Sequence, residues 1–73
     1  MTFKYNPEDY KDYDDGYLKK LLLRIYEAYT EKNEAKYEVY RANLTDELKT
    51  LWKSGIISRS ESEEMKDYFW RLM

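Results

Sequence analysis

Neither cysteine nor histidine occurs in the 73 residues. Without cysteine there are no disulfides, thiolate zinc sites or cysteine nucleophiles, and the redox compartment is left open. Without histidine the commonest general base is gone, and with both missing so are the commonest transition-metal ligands. One proline and two glycines leave little punctuation, so a mostly helical fold is the economical reading. No apolar run approaches the roughly 20 residues that cross a bilayer. The N-terminus, with its early acidic residues from Glu8 on, lacks the basic and apolar regions of a signal peptide. A soluble, cytoplasmic protein with no membrane partner is therefore expected. There is also no Gly-rich phosphate loop and no nucleophile beside a base, so the expectation is no enzyme, no catalytic residue, no cofactor and no metal site.

What is present is aromatic. Nine of the residues are tyrosine, a side chain with a large apolar body and a polar tip that serves half-buried core positions and binding surfaces alike. Hydrophobic residues make up 42% of the chain, enough to fold rather than stay disordered. The length has room for one domain, 1–73, whose core is only marginally able to offset chain entropy, which keeps a homodimer in view. Fifteen acidic against 13 basic side chains argue against direct binding of nucleic acid, which needs phosphates neutralised.

The expected architecture is all-α: a small bundle with one long central helix at about 17–42, two shorter helices at about 46–54 and 60–73, and an acidic, Tyr-rich segment at 1–16. The central helix follows from Leu18, Leu21, Ile25, Ala28, Lys32, Ala35, Val39 and Ala42, which alternate steps of three and four and so share a face. Leu21, Ala28, Ala35 and Ala42 also recur every seven residues, the spacing of a coiled-coil seam and a candidate oligomer contact; Lys32 interrupts it. Beside that seam Tyr26, Tyr29, Tyr37 and Tyr40 form a second stripe, either a widened core or a partner surface. Glu27, Glu31, Glu34 and Glu38 line the other side as a charged face.

Asn43 to Thr45 are expected to end the central helix, with Thr45 capping the next. Leu44, Leu48, Leu51 and Trp52 then face inward and Gly55 stops the second helix, Ile56 touching Leu51 behind it. Ser60 with Glu63 makes a capping box for the third helix, and Ser58 with Glu61 offers the same spacing one register earlier. Met65, Tyr68, Phe69 and Leu72 form its inner face, which leaves Trp70 outside. With Leu51, Gly55, Ile56, Ile57, Ser58, Glu63, Glu64, Lys66 and Leu72, the span Leu48 to Met73 resembles the SHOCT domain, a short C-terminal helical hairpin with a Gly-Ile-Ile-Ser type of turn and an acidic cap. That resemblance implies an oligomerisation or interaction role and no catalytic residues.

In the N-terminal segment Asn6, Pro7, Glu8 and Asp9 give a helix-start signal. Tyr10, Tyr13 and Tyr17 would lay an aromatic face on the long helix, with Asp15 as its cap. The run Asp12, Asp14, Asp15, Gly16 invites a calcium loop, but with Gly16 sixth, Lys11, Tyr13 and Leu22 fall where ligands are required. The functional expectation is a non-catalytic protein that binds or blocks a protein partner. Its candidate contacts are Tyr26, Tyr29, Tyr37, Tyr40, Trp70, Glu27, Glu31, Glu34, Glu38, Asp12, Asp14 and Asp15. In size, acidity and lack of catalytic residues the chain is also similar to small phage-encoded nuclease inhibitors, anti-CRISPR proteins among them. That likeness implies an alternative, an acidic decoy against a nucleic-acid-binding enzyme; a structural homo-oligomer is another.

Overall fold

The computed structural model describes residues 3–72; Met1, Thr2 and Met73, the last predicted residue of the third helix, lie outside the described residues. Three α-helices follow one another: α1, Tyr17–Thr30; α2, Glu34–Lys53; and α3, Arg59–Leu72. Two short turns precede them, Pro7–Tyr10 and Tyr13–Gly16. Among the described residues there is no strand. The all-α bundle with a long central helix is thus present, but that helix is α2, and the expected boundaries at 42 and 46 are corrected.

The break falls at Glu31 to Asn33. Lys32 adopts a left-handed backbone (φ 56°); its N–H donates to the Tyr29 carbonyl at 3.1 Å, while the Asn33 N–H donates to that of Ala28 at 3.0 Å. This pair of bonds is the Schellman ending normally built on glycine. Asn33 then starts α2, its side chain accepting the Lys36 N–H at 3.1 Å. The reversal shortens the molecule: its longest dimension is 33 Å, less than the roughly 39 Å of an unbroken 26-residue helix.

Conversely, Asn43 to Thr45 do not end a helix. The Thr45 hydroxyl donates to the Arg41 carbonyl at 2.9 Å within α2, and Leu44 is buried beside Tyr37, Leu48 and Leu51. A few tenths of a kcal/mol of unfavourable Asn and Thr propensity are small against the burial of one leucine, about 2 kcal/mol.

A left-handed Lys carries a Cβ clash that glycine avoids. Lys32→Gly is therefore expected to raise folding stability by about 0.5–1 kcal/mol. In an unbroken helix the same change would lower it by about 1 kcal/mol, so the sign of the shift in a urea melt reports the break directly.

The core draws on all three helices. From α1 it takes Leu18, Leu21, Leu22, Ile25, Tyr26 and Ala28, from α2 Tyr37, Leu44, Leu48 and Leu51, and from α3 Met65 and Phe69. Gly55 (φ 78°) forms the turn after α2, with the Ile56 N–H on the Leu51 carbonyl at 2.9 Å. The apolar side chain that enters the core behind this turn is Ile57, while Ile56 stays exposed. At the start of α3 the earlier register is used: the Glu61 N–H donates to the Ser58 hydroxyl at 3.0 Å. Trp52, expected inside, is half-buried, with the Arg59 guanidinium 5.4 Å from its ring centre.

Candidate interaction surface

The tyrosine stripe is divided by the chain reversal. Tyr26 and Tyr37 lie in the core and Tyr29 and Tyr40 are half-buried, which corrects the picture of a tyrosine surface on one helix. The Tyr26 hydroxyl donates to the Tyr5 carbonyl at 2.6 Å, its ring stacks on Phe3 at 3.9 Å, and burial drives its hydroxyl pKa upward. The Tyr37 hydroxyl donates to the Phe69 carbonyl at 2.6 Å; burial pushes its pKa up to about 12. Both polar tips are spent on the protein's own backbone, so these two rings brace the core.

The other stripes are divided as well. Leu21 and Ala28 are buried in α1, whereas Ala35 and Ala42 are exposed on α2, so the seven-residue seam is not one surface. Of the glutamate ladder, Glu27 and Glu31 belong to the end of α1 and share the Lys36 ammonium, at 2.5 and 3.2 Å. The Lys36 hydrogen bond holds the Glu27 carboxyl below the usual range. Glu34 and Glu38 stand on α2, exposed and without an ion pair among the described residues.

In the N-terminal segment the Asn6 side chain accepts the Glu8 N–H at 3.1 Å, as expected, and Tyr10 and Tyr13 pack edge to face at 5.6 Å. Lys4 ties the segment to α3 through Glu64 at 2.8 Å. Asp12, Asp14 and Asp15 are exposed overall. Gly16, rather than Asp15, occupies the position before α1, without a side-chain cap. The Asp14 carboxyl turns toward Glu47 on α2.

Of the aromatic candidates the exposed one is Trp70, which keeps 51% of its surface exposed at the end of α3. The Arg41 guanidinium lies over its indole, 3.8 Å from the ring centre, and also 5.7 Å from the Tyr37 ring. Arg41 follows Tyr37 by four residues on α2, so both sit on the flank that meets α3. The aromatic pattern alone drew no attention to Arg41; its four-residue spacing from Tyr37 was the available signal. Arg41 also lines a shallow groove of about 190 Å³ with Glu34, Tyr37 and Glu38. The surface therefore combines a cation-braced indole with two unpaired carboxylates.

Among the described residues no three His, Cys, Asp or Glu side chains gather as a metal site, and no helix is long and apolar enough to cross a membrane. No family model, curated protein or solved structure matches this chain.

Proposed function

We propose that this protein is a non-catalytic binding module that engages a protein partner through the Trp70–Arg41 platform and the neighbouring Glu34 and Glu38. The observation that carries this reading is the half-exposed indole held flat by a guanidinium. Trp and Arg are the side chains most enriched where binding energy concentrates, and a braced ring loses little freedom when a partner covers it. The resemblance of Leu48 to Met73 to an interaction hairpin points the same way.

Trp70→Ala is expected to weaken partner binding by about 2 kcal/mol while changing folding stability by less than about 1 kcal/mol. Affinity capture from a cell lysate, followed by titration of the captured protein, measures the first quantity; a urea melt measures the second. Leu23→Ala, removing another exposed apolar side chain on α1, serves as the control. Equal capture by the Trp70 and Leu23 variants and the parent would remove the platform from the interface.

The acidic-decoy alternative draws less support, because Lys36 already occupies half of the glutamate ladder. The homo-oligomer has one favouring observation, the exposed strip Ala35, Val39 and Ala42 on α2. Sedimentation of the purified chain tests it, and a monomer at all concentrations rejects it.

A further inference from the structure

Glu47 is the one charged residue buried among the described residues, 6% exposed on α2. Among the described residues its Oε2 has no hydrogen-bond partner, and no Lys or Arg forms an ion pair with it. The charged group that faces it comes from the turn before α1: the carboxyl of Asp14, within hydrogen-bonding distance. On its own helix, the residues one turn away are Asn43, Leu44, Thr50 and Leu51, none of them ionisable. A buried carboxylate beside a second carboxylate is strongly disfavoured, because burial penalises the Glu47 charge and the two charges repel. A single proton placed between them converts the repulsion into a charge-assisted hydrogen bond.

The turn that brings Asp14 there is itself costly. Asp14, Asp15 and Gly16 are all left-handed, at φ 52°, 54° and 86°, and two of the three carry the Cβ that this conformation crowds. The same turn joins the aromatic N-terminal segment to α1. A backbone held in this way persists where surrounding contacts over-determine it: Tyr13 packs against the core, and the Asp14 carboxyl faces Glu47 on α2.

We propose that Asp14 and Glu47 form a proton-operated clasp: a shared proton fastens the turn at Tyr13–Gly16 to α2, and loss of that proton releases it. Burial, reinforced by the Asp14 hydrogen bond and charge, pushes the Glu47 carboxyl up to about 7. The folded chain then retains a proton that the unfolded chain gives up near 4.5, so stability is highest at acid pH and falls as pH rises from there through about 7. The N-terminal strap is thus held more firmly in mildly acidic than in mildly alkaline surroundings.

The experiment follows the side-chain carboxyl carbon of Glu47 by NMR from pH 4 to 9, with urea melts of the parent, Glu47→Gln and Asp14→Asn over the same range. The Glu47 signal is expected to titrate near 7, together with a shift of the Gly16 amide. The parent midpoint should decline across pH 5 to 8. Glu47→Gln, whose amide donates to the Asp14 carboxylate at any pH, should show a flat midpoint there, and Asp14→Asn, which leaves Glu47 buried but removes the second charge, a shallower decline than the parent; Asn also tolerates the left-handed backbone at position 14. Titration in the ordinary carboxylate range, or parallel declines in all three proteins, overturns the proposal. So does a rise in parent stability at pH 8 on adding calcium or magnesium that is absent in Glu47→Gln, because the pair would then be holding a cation and not a proton.

Discussion

Phe69→Ala is expected to cost about 4 kcal/mol of folding stability. The ring is fully buried and lies 5.0 Å from Tyr68, 5.5 Å from Tyr26 and 6.1 Å from Tyr5, centre to centre. It therefore joins α3 to α1 and to the N-terminal segment in one contact set. Truncation removes the transfer free energy of the ring and leaves a cavity that three flanking aromatics, each fixed by other contacts, fill poorly. At roughly 0.05–0.15 kcal/mol per residue, a chain of this length holds about 4–11 kcal/mol in total. The variant should be marginal at 25 °C, its melting temperature lower by about 20 °C or more. Phe69→Leu, which keeps much of the volume, should cost about 1–2 kcal/mol. Thermal melts followed by circular dichroism decide this; a loss below 1 kcal/mol for the alanine variant would mean that the aromatic cluster does not hold the elements together.

Much of this arrangement was legible in the sequence because it depends on local signals. The inner face of α3, the Gly55 stop, the Asn6 start and the outward Trp70 each follow from side-chain spacing or from a turn that one residue type favours. The chain reversal was not legible for the same reason. It is built on Lys32, which has no intrinsic preference for a left-handed backbone, and on Asn33, whose cap preference is too small to outweigh a long helical pattern. The polar Lys32 in an otherwise apolar face was the visible warning. The alanine repeat on either side outweighed it, although alanine fits exposed and buried helix positions equally well. Only tertiary packing separates the two readings, since an unbroken helix would leave Tyr37 and the leucines of α2 without cover from α1. The candidate surface was half legible: Trp70 follows from helical periodicity, whereas its partner Arg41 depends on how α2 crosses α3. The Asp14–Glu47 contact joins positions 33 residues apart in the chain, and no local pattern encodes it.

Tyr37 records that reversal, and a pair of substitutions there separates its two contributions. The residue is fully buried, its ring meets Tyr29 at 6.4 Å, and its hydroxyl donates to the Phe69 carbonyl. Tyr37→Phe keeps the ring and deletes the hydrogen bond, leaving a carbonyl without its donor, for an expected cost of about 1–2 kcal/mol. Tyr37→Ala deletes both and should cost about 4 kcal/mol. A pH arm isolates the hydroxyl. Burial pushes it up to about 12, above the value near 10 at which the unfolded chain gives up its proton. The folded protein therefore loses stability as pH rises from 10 toward 12. The buried Tyr26 hydroxyl, also shifted upward, contributes in the same direction, so Tyr37→Phe should shrink this alkaline decline without abolishing it. Were α1 and α2 one continuous helix with Tyr37 on an open stripe, both substitutions would cost less than about 1 kcal/mol, and the alkaline limb of the parent and the Tyr37→Phe variant would coincide.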